Sequence, residues 1–311
     1  MSRLSPNMHP NLKSDVIELL NVKQIYTVLD FIRTDTKLIE KSSHLTFREI
    51  LDVKKELTKR FSAQPRNGFE YYKLIISNSA IIETGIKNLD DLLEGGLFTG
   101  NIYEICGLPA TGKTLFCLTL MKNVVSKMKE NIYYLDTKQD FSARKFKQML
   151  CNSNKQELVE ALSRALIKNI SSQHELVNSL FEIKEKLQSG LKMRAVIIDS
   201  LPALYWQSAD YSGNNNFLNH TVNILRYLSI EYNLVIIVTN LITLWNEGGF
   251  NTQDSYQEKI SCGGYWHNVP NVRLKFERTS QSACKVTLMK TWKVMPEICE
   301  CGVELTDVGI K

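Results

Sequence analysis

The 311-residue sequence predicts an α/β fold: a P-loop core with a mostly parallel central sheet flanked by helices, preceded by a small all-helical domain. Three observations carry this. The first 61 residues repeat apolar side chains at three- and four-residue spacing, the mark of amphipathic helices. From residue 77 onward, short β-branched runs alternate with helical stretches, the order that builds a parallel sheet. Between one such run and the next helix stands GLPATGKT, which fits G-x-x-x-x-G-K-[ST].

Each region follows from its pattern. LKSDVIELLNV, QIYTVLDFI, TKLIEKS and TFREILDVKKELTKRF read as four short helices, and Thr46 with Glu49 makes a capping box for the last. Residues 62–76, SAQPRNGFEYYKLII, mix Pro65, Gly68 and aromatics without a helical period and are expected to be a linker. Its aromatics either lie back on their own domain or dock on a neighbouring subunit as an added strand. Residues 77–311 form the third region. NIYEIC, NIYYLD, AVIIDS and LVIIVTN lack alternation, as strands buried on both faces do. NVRLKFER, KVTLMKT and GVELTDVGI are expected to be later, antiparallel strands.

Composition sets limits. With 43% hydrophobic and 23% charged residues, the chain has enough apolar material for a substantial core. No window approaches roughly 18 uninterrupted apolar residues and the N-terminus has no apolar signal core, which argues against membrane insertion and secretion. Seven scattered cysteines suit free thiols in a reducing compartment, and Cys299-x-Cys301 has no second ligand pair at zinc spacing. The net charge of +5 permits nucleic-acid contact without arguing for it, because the basic residues form no single block.

The chemistry centres on Gly107, Leu108, Pro109, Ala110, Thr111, Gly112, Lys113 and Thr114. The two glycines let the backbone curl so that successive N–H groups face a phosphate, helped by the helix N-terminus. Lys113 is expected to reach the β- and γ-phosphates and Thr114 to ligate Mg²⁺. Asp199 closes AVIIDS, at the carboxyl end of a strand beside the loop, where it would hold Mg²⁺ through water.

The run TGIKNLDDLLEGGLFTGNIYEICGLPATGKT resembles the opening segment of the RecA-like strand-exchange recombinases of eukaryotes and their paralogues. Thr84, Gly85, Leu89, Asp90, Leu93, Gly95, Gly96, Gly100, Glu104 and the phosphate loop carry the match. Among the paralogues it is most similar to the D-type, through its helical N-terminal region, FSAQPRNGFEYY, VTNLIT and VPNVRLKFER. The resemblance implies an ATP- and Mg²⁺-binding, RecA-like subunit that acts in the nucleus in homologous-recombination repair. It further implies a hetero-complex with other recombinase paralogues on single-stranded or branched DNA, assisting the main recombinase. A bacterial or clock-type RecA-like ATPase fits the helical N-terminal domain poorly.

Two departures bear on activity. Where the recombinases carry a glutamate that positions the attacking water, this chain has Lys138, within Asp136-Thr137-Lys138-Gln139. Protonated lysine accepts no proton, and losing a positioned base commonly costs about 10²–10⁴ in rate. Asp140 is a weak substitute, because two residues of extended chain displace its carboxylate by roughly 6–7 Å. The recombinases also place a γ-phosphate-sensing glutamine where this chain has Leu241, which has no hydrogen-bonding group. ATP binding with slow hydrolysis is therefore expected; the alternative is a genuine DNA-dependent ATPase that remodels recombination intermediates.

DNA contact is expected in two loops, about residues 208–216 and 246–264, the second carrying Phe250, Tyr256 and Lys259. Aromatics beside a basic residue suit stacked single strands. Yet Glu247, Asp254 and Glu258 offset the charge, and a protein partner is the rival reading. Lys54, Lys55, Lys59 and Arg60 offer another DNA surface, although basic residues also suit a helix C-terminus. By the resemblance, Lys290, Lys293 and Pro296 belong to a segment lying against the nucleotide of an adjacent subunit.

Overall fold

In the first unit, a short 3₁₀ turn at Pro6–Met8 leads into α1 (Ser14–Val22), α2 (Val28–Arg33), α3 (Thr36–Ser43) and α4 (Phe47–Phe61). The computed structural model describes residues 2–62, 65, 67–150, 154–206, 211–246 and 256–311. Two compact units divide the chain, Met1–Leu74 and Ile75–Lys311. The predicted capping box forms: Thr46 accepts from the Glu49 N–H while the Glu49 carboxylate accepts from the Thr46 N–H, and Thr27 with Asp30 repeats the device on α2. On α4, Ile50, Val53 and Leu57 fall on one face and are fully buried with Leu12, Leu20, Phe31 and Ile39.

Residues 68–76 of the expected linker, read as lacking a helical period, belong to α5 (Gly68–Asn78). The cause is local. The Asn67 side chain accepts from the Phe69 and Glu70 N–H groups, an N-cap that Pro65 and Gly68 hid in the sequence. Phe69, Tyr72 and Ile76 then fall at helical spacing, and all three are exposed.

The second unit opens with β1 (Ile81–Ile82), α6 (Lys87–Leu92) and β2 (Leu97–Phe98), β1 and β2 pairing as a small antiparallel ribbon. Then follow β3 (Ile102–Gly107), α7 (Lys113–Asn123, extended by a π-turn to Met128), β4 (Asn131–Asp136), α8 (Ala143–Met149), α9 (Lys155–Arg164), β5 (Ala165–Asn169), α10 (Gln173–Gln188) and β6 (Met193–Asp199). The chain continues through α11 (Leu201–Tyr205), α12 (Tyr211–Glu231), β7 (Val235–Asn246), β8 (Tyr256–Ile260), α13 (Gly263–His267), β9 (Val272–Arg278), β10 (Ala283–Lys290), β11 (Glu300–Thr306) and β12 (Gly309–Ile310).

The main sheet runs β12-β11-β10-β9-β3-β7-β6-β4-β5, with β8 added to β7. From β9 to β5 every pairing is parallel. Their apolar runs face both ways: Ile105, Tyr134, Ile197 and Ile237 pack with Phe116, Leu120 and Phe146, while Tyr133, Leu135, Val196 and Val238 pack with Leu180, Leu218 and Leu225 on the other face. Two helical layers therefore sandwich the sheet, with β3 buried along its whole length.

Three expectations change. β9 was expected to be antiparallel, but it lies parallel to β3, and antiparallel pairing begins only at β10. Within the first expected loop, α12 already starts at Tyr211. Within the second, β8 folds back on β7, pairing Ile242 with Ile260 and Asn246 with Tyr256.

Candidate nucleotide site

Parallel pairing brings the carboxyl ends of β3, β4, β6 and β7 to one edge of the sheet, the crevice where α/β folds hold ligands. The loop from Gly107 to Gly112 turns there into α7. Gly107 has no room for a side chain: a Cβ would lie 2.4 Å from the Phe276 carbonyl oxygen and 2.9 Å from Thr111 Oγ1. Gly112, at φ +96°, starts the helix from the left-handed region that glycine favours. The Lys113 ammonium donates to the carbonyls of Gly107 (2.8 Å) and Leu108 (2.6 Å), curling over the loop it would share with a phosphate. Burial first, and the Lys138 charge second, pull its pKa down to about 8.

A cleft of about 730 Å³ opens over the loop, lined among others by Lys113, Thr114, Lys138, Asp140, Asp199, Leu241 and Arg278. That volume suits a nucleotide-sized ligand. Arg278, which sequence reading missed, donates to the Ala110 carbonyl at 3.0 Å and braces the loop. No motif announces it; only the β3–β9 pairing brings it here.

Asp199 is buried, at 1% exposure, and all its acceptor positions are taken. Oδ1 accepts from Thr239 Oγ1 (2.6 Å) and faces Lys138 Nζ (3.1 Å), while Oδ2 accepts from Thr114 Oγ1 (2.7 Å) and from the Tyr134 hydroxyl (2.8 Å). Burial raises its pKa, but Lys138 and the three hydroxyl donors outweigh it and hold the carboxyl below the usual range. Burial, then the Asp199 charge, pushes the Tyr134 phenol far above its ordinary value, so it stays a donor.

Lys138 is aimed by its own loop. Asp136, at the end of β4, accepts from the backbone N–H groups of Lys138 (3.1 Å), Gln139 (2.9 Å) and Phe141 (2.9 Å), and its Cα pairs with that of Asp199. The ammonium lies 3.1 Å from Asp199 Oδ1, 3.1 Å from Thr114 Oγ1 and 3.2 Å from Asp140 Oδ2. Burial works against its charge, yet Asp199 and then Asp140 more than offset this and raise its pKa. Lys138 is thus a cation placed between the two residues expected to hold Mg²⁺. Thr114 and Asp199 are hard oxygen donors of the right kind. As arranged, however, the set does not fit the metal: a positive charge bridges the pair and no Asp199 lone pair is open.

Beneath the site, Glu104 is fully buried with Arg273. It also accepts from Trp266 Nε1 (2.7 Å) and Asn240 Nδ2 (2.6 Å), and Asn240 accepts from the Leu241 N–H. Leu241 faces the nucleotide cleft, where it offers no polar group.

The remaining predicted residues are dispersed. Lys54 is half buried and donates to the Thr34 carbonyl, which turns its charge toward its own unit. Lys55, Lys59 and Arg60 are exposed, and Arg60 lies over the Phe61 ring. Lys259 on β8 lies over Trp245, 5.3 Å from the ring centre, and Tyr256 begins that strand. Phe250 lies outside the described residues. Lys290 donates to the Asn268 carbonyl, and Lys293 pairs with Glu94 above the Phe98 ring.

A three-layer sandwich with this loop after β3 and a buried aspartate ending β6 defines a RecA-like P-loop module. Residues 76–311 match the model of the Rad51 family, and residues 1–58 match the one described as RAD51D, N-terminal domain. The chain belongs to the Rad51 family, and its N-terminal domain is of the D-type. It is 26% identical to DNA repair protein RAD51 homolog 4 of Bos taurus over 99% of this chain and 97% of that protein. It is 25% identical to DNA repair protein RAD51 homolog 2 of Homo sapiens over 78% and 68% of the two chains. The archaeal DNA repair and recombination protein RadB of Pyrococcus furiosus is 24% identical over 75% of this chain and 96% of its own. Among the described residues no helix is long and apolar enough to cross a membrane.

Proposed function

We propose that the chain is an ATP-binding subunit of a nuclear complex of recombinase paralogues, which assembles on single-stranded or branched DNA and assists the main recombinase in homologous-recombination repair. Its family and its relatives in DNA repair support the setting. The Gly107–Thr114 cradle supports ATP as ligand: loop N–H groups and the α7 N-terminus face the phosphates, and Lys113 exchanges its carbonyl partners for phosphate oxygens. In this reading ATP acts as an assembly signal and turns over slowly.

One observation carries the slow turnover: the ammonium of Lys138 stands where the recombinases use a carboxylate to position water, bonded to Asp199. Asp140 is tied to the same ammonium, so its carboxylate is already engaged at 3.2 Å. Leu241 leaves no side-chain hydrogen bond to report the γ-phosphate to β8 and the segment before it.

Two variants test the proposal. Lys113→Ala should weaken ATP binding by at least about tenfold, roughly 1.4 kcal/mol, and with it ATP-dependent capture of partner paralogues. Lys138→Glu should raise turnover without improving partner capture. Purified wild-type chain that hydrolyses ATP at recombinase-like rates, stimulated by single-stranded DNA, would instead establish the remodelling ATPase.

A further inference from the structure

We infer that Lys138 takes the place of the magnesium ion, so that this chain binds its nucleotide without a divalent metal. The inference rests on the proposed ATP-binding reading and deepens it. In a P-loop site the metal neutralises phosphate charge while bridging the loop hydroxyl and the strand-end aspartate. Here that bridge is made by the protein. The Lys138 ammonium is 3.1 Å from both Thr114 Oγ1 and Asp199 Oδ1, and its third contact is Asp140 at 3.2 Å. An ammonium has three protons, so the set is complete.

Admitting magnesium would require several changes together. One of the four contacts to Asp199 would have to break, and Lys138 would have to leave three partners. The Lys138 backbone is not free to follow, because the Asp136 carboxylate holds the N–H groups of Lys138, Gln139 and Phe141 in its loop. Magnesium also dehydrates reluctantly and demands near-octahedral geometry, which a partly filled site does not offer. A nucleotide entering the cleft meets Lys113, Lys138, Lys145 and Arg278 against Asp140, Asp199 and Asp307, an excess of one positive charge before any metal arrives. Lys138 is 33% exposed, so its ammonium can exchange the half-exposed Asp140 carboxylate for a phosphate oxygen while still covering Asp199.

Equilibrium dialysis of the full chain with radiolabelled ATP, in excess EDTA or in millimolar magnesium chloride, tests this. Wild type should bind in both buffers with dissociation constants within about threefold of each other. Lys138→Met should lose at least about tenfold in EDTA and recover in magnesium, because Asp199 is uncovered. Lys138→Arg should keep EDTA binding. Wild-type binding that needs magnesium by more than about tenfold overturns the inference and leaves the ATP-binding reading standing. So does a Lys138→Met variant that binds as tightly as wild type in EDTA. Absence of binding in both buffers removes both readings. Should Lys138→Met fail to fold, as judged by circular dichroism, the two wild-type measurements decide alone.

Discussion

Glu104 shows how much one side chain can fix inside a sheet. It is fully buried on β3, and its two oxygens hold Arg273, Trp266 and Asn240, joining β3 to β9, α13 and β7. Glu104→Gln keeps an acceptor but leaves the Arg273 guanidinium without a counter-charge. Removing one partner of a buried pair costs about 3–5 kcal/mol. For a domain of this size each kcal/mol lowers the melting temperature by about 2–4 °C, so the core transition in calorimetry should fall by roughly 6–20 °C. An unchanged transition would mean that the pair is replaceable. The identity of Glu104 was legible in the sequence as part of the matching run; its partners were not, since Trp266 and Arg273 lie more than 160 positions away. Lys138 divides in the same way. Its presence where a glutamate is expected can be read from DTKQ, whereas its bond to Asp199 depends on the β4–β6 register.

At the scale of elements, what could be read followed from periodicity. The four N-terminal helices were legible from their apolar repeat, and the four central strands from short unbroken apolar runs. Three elements show what was not. α5 hid behind Pro65 and Gly68, although Asn67 with Glu70 writes a capping pattern. β5 is a half-buried edge strand whose ALIKN is too short to separate from the end of α9. β8 owes its strand state to pairing with β7, a tertiary cause. The helical unit is small, and its thin core makes it sensitive. Leu57 on α4 is fully buried, and Leu57→Ala should cost about 2–5 kcal/mol. A domain of this size has little stability to spare. Limited proteolysis of the full-length variant should therefore cut within residues 1–62 while leaving the Ile75–Lys311 unit protected. Cleavage no faster than in wild type would show that the unit has reserves beyond its buried stripe.

On the scale of the whole molecule, the two ends of the central strands have different roles. The cradle follows the carboxyl end of β3, at Gly107, whereas the segment after β10 lies beside the other end: Lys290 pairs with Arg273, and Arg273 with Glu104, while Val272 pairs with Tyr103. Five residues of strand, roughly 16–17 Å, separate the two edges. Residues 292–298 therefore sit away from the nucleotide of their own chain, and they expose Trp292, Val294, Met295 and Ile298. In the assembly proposed above, a surface of this kind at one edge and the cleft at the other would allow a head-to-tail contact, in which one subunit covers the ATP of the next. Val294 is 92% exposed and contributes nothing to its own core, so Val294→Asp places a charge on that surface without disturbing the fold. The isolated variant should bind ATP within about twofold of wild type, while its ATP-promoted association with partner paralogues falls by at least about tenfold, as measured by sedimentation velocity. Equal loss in both measurements would place the segment at the chain's own nucleotide. Loss in neither would move the contact to another face, of which exposed Phe69, Tyr72 and Ile76 on α5 form the next to test.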